Sequence, residues 1–211
     1  GYKVLMQAHE ESGRSAISKG FLNKAKIVID RNIAVFKDLI SEQTPLIGIE
    51  PSAILGFRDE YLRLANDKIS AAKISKHTFT FEEFIKNEFE KGKISASNFS
   101  TKSKEIKIHV HCHQKSLSTS EATFTMLNIP INYKPIILNT GCCGMAGSFG
   151  YEKEHYKISM QVGEDTLFPK IRKISAKIAI AAAGTSCRHQ IKDGTNRTSK
   201  HPITILKKAL I

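Results

Sequence analysis

Short apolar runs of strand length recur along the chain, and longer segments with helical spacing lie between them. Five runs predict strands: KVLMQ (3–7), LIGI (46–49), EIKIHVH (105–111), PIILN (135–139) and KIAIAAA (177–183). Apolar spacing predicts helices over 20–40, 80–92 and 151–171, and a last helix after His201. Strands that alternate with helices are typical of α/β proteins. We therefore predict an α/β fold of two pseudo-repeated lobes, with mainly parallel sheets flanked by helices.

The two lobes are predicted from an internal duplication. Two pairs of segments align: 1–20 with 132–151, and 48–61 with 181–194. We assign residues 1–95 to the first lobe and 104–211 to the second lobe, with a Ser/Lys-rich linker between them. The first lobe has no counterpart of EIKIHVH, and the chain opens almost directly in an apolar run. We therefore expect an excised piece of a longer protein in which the first lobe is truncated at its start.

All four cysteines fall in the second lobe, and each follows a predicted strand: Cys112, Cys142, Cys143 and Cys187. The carboxyl ends of strands in an open α/β sheet meet at one edge, where ligands bind. We therefore expect the four thiols to lie close together.

Thiolates are soft ligands that suit iron–sulfur clusters, zinc and copper. An adjacent cysteine pair cannot readily direct both sulfurs at one small tetrahedral ion, and it favours a polynuclear centre. The glycines of the same loop allow close approach of the backbone, and their N–H groups are candidate donors to the centre. These candidate cofactor-binding residues are Gly141, Gly144, Gly147 and Gly150.

Two other interpretations of the cysteines stay open. They are inert buried thiols, or they bind zinc, although zinc sites usually contain CxxC pairs that this chain lacks. At the aligned positions the first lobe has Glu11, Ser12 and Ala53. The thiols are therefore not needed to fold a lobe, and they are candidate ligands confined to one lobe.

Composition and charge narrow the range of functions. Hydrophobic residues make up 41% of the 211 residues, charged residues 25%, and the net charge is +12. The lysines are spread along the chain, which is typical of a solvated basic surface, and we predict no nucleic-acid partner. No apolar run is long enough to span a bilayer, and no leader opens the chain. We expect a cytoplasmic protein, with peripheral association on the inner face of the membrane left open.

Three motifs resemble a known family. HCHQKSL, NTGCCGMAGSFGYEKEHY and GTSCRHQI are similar to the tandem cysteine-rich (CCG) domain. That domain occurs in the heterodisulfide reductase B subunit, in the iron–sulfur subunits of glycolate oxidase and anaerobic glycerol-3-phosphate dehydrogenase, and in FAD-linked oxidases of the D-lactate dehydrogenase type. The segment GCCGMAGSFGYEKEHYKISMQVGEDTLFP looks most like the last group. In the first lobe, SGRS and EPSA stand where the family usually reads CCGRP and EPSC.

The resemblance implies an electron-transfer module of a flavin-dependent 2-hydroxy-acid oxidoreductase. A [4Fe–4S]-type cluster would be held by Cys112, Cys142, Cys143 and Cys187. FAD and a ferredoxin-like domain would lie upstream, the electron acceptor would be a quinone or a cytochrome, and the fragment alone would be inactive. The second hypothesis is a non-redox docking domain of the same enzyme with vestigial cysteines.

Other polar residues in the same loops are also candidates. His111 and His113 flank Cys112, where they could tune or ligate the centre, although satisfied structural histidines are more common. Glu152 and His155 lie three apart, and Arg188 and His189 would place positive charge near the thiols. A hydrolase interpretation takes Ser148 in AGSFG as a nucleophile, with His155 or His189 as its base, but it leaves the cysteine pair unexplained.

Overall fold

The computed structural model describes residues 1–211. It is a mixed α/β structure with two small sheets, both entirely parallel and flanked by helices, which confirms the predicted fold class. We keep the names first lobe and second lobe for residues 1–95 and 104–211. The division into two domains stays a prediction.

The first lobe is mainly helical around a two-stranded sheet. Its helices are α1 (Arg14–Ser18), α2 (Leu22–Phe36), α3 (Pro51–Ile54), α4 (Glu60–Leu64), α5 (Lys68–Lys76) and α6 (Phe81–Glu90). Its strands are β1 (Leu46–Gly48) and β2 (Thr78–Thr80), which pair in parallel. A capping box between Thr80 and Glu83 starts α6, and Gly92 in a left-handed conformation follows its end.

The second lobe contains a three-stranded parallel sheet. Its strands are β3 (Lys104–His109), β4 (Tyr133–Ile137) and β5 (Ala179–Ala182), in the order β4-β3-β5. Its helices are α7 (Cys112–Leu117), α8 (Ser120–Asn128), α9 (Tyr156–Arg172), α10 (Thr185–Thr195) and α11 (Pro202–Lys207). Because β3 lies between the other two strands, the residue that follows it faces the ends of both neighbours.

The strand predicted over 3–7 is wrong. Residues 1–12 form no helix or strand, and Val4, Leu5 and Met6 are exposed. The aligned strand in the second lobe, β4, pairs with β3, and the first lobe has no counterpart of β3. A strand gains its stability from a hydrogen-bonded neighbour, so the apolar run alone does not make one.

The helix predicted over 151–171 begins later than expected. A 3₁₀ turn covers Phe149–Tyr151, and α9 starts only at Tyr156. The helix over 20–40 is also shorter than predicted, because α2 ends at Phe36. The amphipathic pattern therefore located both helices but not their ends, which depend on local turns.

One hydrophobic core crosses the boundary between the lobes. Ile85 of α6 belongs to the same buried group as Ile106 and Ile108 of β3, and Phe81 and Phe84 of α6 pack against that group. A second buried group fills the first lobe between α2, α4 and α5. Because α6 packs on the second lobe's core, it fixes the first lobe beside the second.

Candidate functional site

Four cysteines lie at the carboxyl edge of the three-stranded sheet. Cys112 is the first residue of α7, just after the central strand β3. Cys142 and Cys143 lie in the loop after β4, and Cys187 lies in the first turn of α10, after β5. None of them forms a disulfide. The parallel order β4-β3-β5 brings these three strand ends side by side.

The four thiols form a continuous series of side-chain contacts. Cys142 lies close enough to Cys112 and Cys143, and Cys143 close enough to Cys187, for each pair to shift one another's pKa values. Cys143 and Cys187 are buried, whereas Cys112 is exposed. The series therefore runs from the surface into the core, where Cys143 and Cys187 pack among the apolar side chains of α9 and β5.

The pKa shifts of the four thiols alternate in direction along this series. The close contact with Cys142, with burial added, raises the pKa of Cys112, and contacts with Cys142 and Cys187 raise the pKa of Cys143. Close contacts with Cys112 and Cys143 hold the pKa of Cys142 well below its usual range despite its burial. Cys143 lowers the pKa of Cys187 in the same way. These shifts favour ionisation of Cys142 and Cys187 over Cys112 and Cys143, and the thiolate is the form in which cysteine binds metals.

The loop Thr140–Gly150, which we call the glycine loop, folds tightly against α9. Gly144 has φ +94°, and its N–H donates to Cys142 Sγ at 3.3 Å. A Cβ on Gly144 would lie 2.0 Å from the Ser159 carbonyl oxygen, so only glycine fits. Cys142 Sγ is thus held by a backbone donor of its own loop.

The other three glycines act mainly in packing. The N–H of Gly141 donates to Thr166 Oγ1 at 2.7 Å, and that of Gly150 donates to the Met145 carbonyl at 2.9 Å. Gly147 lies against the first lobe, because a Cβ there would meet Ser18 Oγ at 2.3 Å. Donation from these glycines to a bound centre stays a prediction.

The first lobe contains an equivalent of the hydrogen bond between Gly144 and Cys142, in which a carboxylate replaces the sulfur. Gly13, which aligns with Gly144, also has a positive φ of 78°. Its N–H donates to Glu11 Oε2 at 2.6 Å, and Glu11 aligns with Cys142. The carboxylate therefore satisfies in the first lobe the donor that a sulfur satisfies in the second.

Three histidines occupy every second position from the end of β3 into the start of α7. His109, which we did not single out from the sequence, is 2% exposed, and its Nδ1 lies 2.8 Å from Thr140 Oγ1. It also contacts Cys187, whose pKa it helps to lower. The period-two series His109, His111, His113 in IHVHCH was the available signal for it.

His111 and His113 lie on either side of the Cys112 sulfur. The distance from Cys112 Sγ to His111 Nδ1 is 3.9 Å, and the distance to His113 Nδ1 is 4.0 Å. One donor atom from each of these three residues lies within 4.8 Å of the others, so together they could hold a metal ion. His111 Nδ1 also accepts the His113 N–H at 3.1 Å and thereby caps α7. Burial, followed by the charges of His111 and Arg14, lowers the pKa of His113.

Gly184 lets His111 and Cys187 approach each other. A Cβ on Gly184 would lie 2.3 Å from His111 Cδ2 and 3.3 Å from Cys187 Sγ. Gly184 is the N-cap of α10 and has no side chain to bond the helix N-terminus. A carboxylate of the first lobe supplies that bond, since Glu50 Oε2 accepts the Thr185 N–H at 2.8 Å.

The charge of Glu50 is retained in this position. Burial raises the pKa of Glu50, but hydrogen bonds from Thr185 and Ser52 outweigh it and lower the pKa overall. An anion at a helix N-terminus is favoured by the unpaired N–H groups and the helix dipole. The first lobe thus stabilises the turn that carries Cys187.

Arg188 and His189 are hydrogen-bonded to partners other than the thiols. Arg188 donates to the carbonyl of Ala182 at 3.0 Å, and Tyr151 Oη lies 2.8 Å from His189 Nδ1. Their effect on the charge near the thiols stays a prediction.

Neither histidine that the hydrolase interpretation takes as its base reaches Ser148. Ser148 Oγ donates to Glu152 Oε1 at 3.5 Å, and neither His155 nor His189 is hydrogen-bonded to it. His155 stacks on Phe149, and its Nδ1 lies 3.0 Å from Glu152 Oε2. Glu152 in turn pairs with Lys19 of the first lobe at 2.6 Å. These side chains hold the lobes together and form no nucleophile–base pair.

The fold and site describe an α/β protein with a thiol-lined site at the carboxyl edge of a parallel sheet, and the curated proteins that resemble it are parts of dehydrogenases. The chain is 25% identical over 221 residues to D-2-hydroxyglutarate dehydrogenase of Haemophilus influenzae, covering 100% of the chain and 20% of that protein. It is 27% identical over 210 residues to one subunit of the anaerobic glycerol-3-phosphate dehydrogenase of Escherichia coli K12, covering 98% of the chain and 51% of that polypeptide. D-2-hydroxyglutarate dehydrogenase of Pseudomonas putida is 24% identical over 207 residues.

The chain spans only about a fifth to a half of the length of these relatives. No protein-family profile matches it, and no solved structure matches it. None of its helices combines the length and the hydropathy needed to cross a membrane. The similarity therefore joins the chain to one region of larger dehydrogenases.

Proposed function

We propose that this chain is the iron–sulfur electron-transfer module of a larger flavin-dependent 2-hydroxy-acid oxidoreductase. The observation that carries the proposal is the position of four cysteines just after the ends of three adjacent parallel strands. The names of the relatives support a dehydrogenase context, and two of the three compared are D-2-hydroxyglutarate dehydrogenases. D-lactate, glycolate and D-2-hydroxyglutarate share the 2-hydroxy-acid group, and we propose that class as the substrate of the whole enzyme.

The residues present fit an iron–sulfur cluster. Four cysteine sulfurs are the usual ligand set of a [4Fe–4S] cluster, and this chain has four cysteines, all at the carboxyl edge of one sheet. Cys112, Cys142, Cys143 and Cys187 would hold the cluster. When bound, it would accept and release single electrons. Upstream FAD and ferredoxin-like domains would deliver these electrons, and a quinone or cytochrome would receive them.

The chain's own residues would set the environment of the cluster. Gly144 N–H holds Cys142 Sγ, and His109 contacts Cys187. Burial of Cys143 and Cys187 in the core keeps water away from that side of the group. Hydrogen bonds to sulfur and solvent exposure both tune the reduction potential of such centres.

Replacement of single cysteines tests the proposal. Cys143→Ser and Cys187→Ser should each lose the iron that the unaltered chain binds on anaerobic reconstitution, because each removes a buried ligand. Ser148→Ala, in the same glycine loop, is the matched control and should bind iron as the unaltered chain does. Equal iron in all four proteins would exclude the cysteines as ligands.

A single-metal site is the second candidate. The close donor atoms of His111, Cys112 and His113 favour it. It predicts about one zinc per chain that survives Cys143→Ser and is lost in His113→Gln. The cluster proposal predicts instead that bound iron is lost in Cys143→Ser and retained in His113→Gln, since Cys143 would be a ligand and His113 would not.

A further inference from the structure

One arginine of the first lobe contacts a histidine beside the thiols. Arg14 is the first residue of α1, directly after Gly13. Its Nη1 lies 3.2 Å from Nε2 of His113, in the second lobe. The same guanidinium forms an ion pair with Glu60 of α4. The side chains of Arg14 and Glu60 are both less than a quarter exposed, so this pair is largely shielded from solvent.

The chemistry of arginine fixes the direction of this contact. A guanidinium carries only donors and stays protonated, so it can only donate to His113. Nε2 of His113 must then be the accepting, unprotonated nitrogen. A neutral imidazole has one N–H, and in His113 it is therefore on Nδ1.

That proton faces the site. His113 Nδ1 lies 4.0 Å from Cys112 Sγ, so an N–H at this nitrogen is placed to donate to the sulfur. Arg14 thereby determines whether His113 carries a proton on the nitrogen that faces Cys112, although Arg14 itself does not contact that thiol. Partners of this kind, which orient a metal ligand's neighbour, commonly tune metal centres.

We propose that Arg14 is a positioning residue for the thiol site: by donating to Nε2 of His113 it holds that imidazole as the Nδ1–H tautomer, which donates to Cys112. The cysteine-free lobe thus contributes to the site of the other lobe. The tautomer itself does not depend on a bound cluster. Its effect on reduction potential rests on the proposed function.

The tautomer is measured directly in the metal-free full chain. Two-dimensional ¹H–¹⁵N NMR of the imidazole nitrogens at pH 8 identifies the protonated nitrogen, and His113→Gln assigns the signals among the eight histidines. The unaltered chain should show Nδ1–H at His113. Arg14→Met should shift the signals towards Nε2–H. An Nε2–H form in the unaltered chain, or an unchanged tautomer in Arg14→Met, would overturn the proposal.

Two further variants test whether the tautomer shift comes from loss of the contact between Arg14 and His113, rather than from loss of a positive charge or from poor folding. Arg63→Met removes the same charge from α4, where Arg63 pairs with Asp59, and should leave the His113 tautomer unchanged. The double variant Arg14→Met/Glu60→Gln removes both partners of the ion pair, so no carboxylate is left unpaired if the single variant folds poorly. It should show the same tautomer shift as Arg14→Met.

The reconstituted proteins supply the second readout. Arg14→Met should bind as much iron as Arg63→Met but have a lower reduction potential, because a hydrogen bond to sulfur stabilises the reduced centre. Equal potentials with equal iron would overturn the effect on the centre. Absence of iron from the unaltered chain would instead refute the proposed function, and the NMR result would still decide the tautomer.

Discussion

Glycine 144 is the residue on which the shape of the glycine loop depends most. It combines a positive φ with an approach to the Ser159 carbonyl that leaves no room for a Cβ. Its N–H is also a donor to Cys142. Backbone strain and steric overlap therefore act at the same position, next to two candidate ligands.

Gly144→Ala should destabilise the protein by more than about 2 kcal/mol, because it adds a steric clash to the strain of a left-handed alanine. Gly92→Ala is the matched control. Gly92 has φ +72° but nothing within 4 Å of a built Cβ, so we expect a loss of only about 1 kcal/mol. Urea unfolding of the metal-free proteins measures both. Equal losses would show that the approach to Ser159 has no energetic consequence.

Single residues were predicted from the sequence with uneven success. The cysteines were recognisable because each follows an apolar run. His109 was missed, although it shares its strand parity with His111. Arg14 could not have been found, because its contact with His113 spans 99 positions of sequence and depends on how the two lobes pack.

At the scale of elements, α10 depends on a residue outside itself. Its N-cap, Gly184, has no side chain, and Glu50 of the first lobe accepts the Thr185 N–H instead. This contact joins α3, which starts after Glu50, to the turn that carries Cys187. The orientation of Cys187 therefore depends on the first lobe.

Glu50→Ala should loosen the first turn of α10. Loss of a capping carboxylate costs about 1 kcal/mol, which corresponds to about fivefold faster exchange of the protected amides in that turn. Hydrogen–deuterium exchange of the metal-free chain measures this. Glu42→Ala, at an exposed position before β1, should leave α10 unchanged. If both variants leave the exchange of α10 unchanged, the cap does not stabilise the helix.

Most elements could be predicted from the sequence because their patterns are local. The runs at 46–49, 105–111, 135–139 and 177–183 all overlap observed strands. The strand predicted for KVLMQ does not form, because a strand also needs a hydrogen-bonded neighbour. The apolar pattern does not show whether such a neighbour exists. The start of α9 was predicted too early for a local reason, since Phe149–Tyr151 form a 3₁₀ turn before the helix.

At the scale of the whole molecule, hydrogen bonds and ion pairs join the lobes at several points. Ser118 Oγ donates to Glu83 Oε1 at 2.6 Å, and His201 Nε2 donates to the Ile49 carbonyl at 2.8 Å. Beside these contacts lies Glu82 of α6, which is 1% exposed. Its Oε1 has no hydrogen-bond partner. A buried carboxylate with one oxygen that accepts no hydrogen bond makes the stability of the joined lobes sensitive to pH.

Burial, with the neighbouring charges of Glu83 and Glu50 added, raises the pKa of Glu82 to about 7 from its usual 4.5. The folded state then holds a proton that the unfolded state has lost between these values. The contribution of Glu82 to stability is therefore complete below pH 4.5, falls as the pH rises to 7, and stays low above it. The total loss is about 3 kcal/mol.

Glu82→Gln should remove this part of the pH dependence and make the protein more stable than the unaltered chain at pH 8. Urea unfolding at pH 5, 6, 7 and 8 gives the difference between the two proteins. Glu90→Gln, at an exposed position of the same helix, should retain the slope of the unaltered chain. A Glu82→Gln protein with that same slope would show that Glu82 is ionised throughout.

The most direct test of the central claim is the iron, acid-labile sulfide and zinc content of the full chain, purified and reconstituted without oxygen. The four-thiol group predicts about four irons and four sulfides per chain, with visible charge-transfer absorbance. Chains with neither iron nor zinc, and with four reactive thiols after unfolding, would contradict the account and leave the docking-domain hypothesis. About one zinc per chain without sulfide would also contradict it and favour the single-metal site.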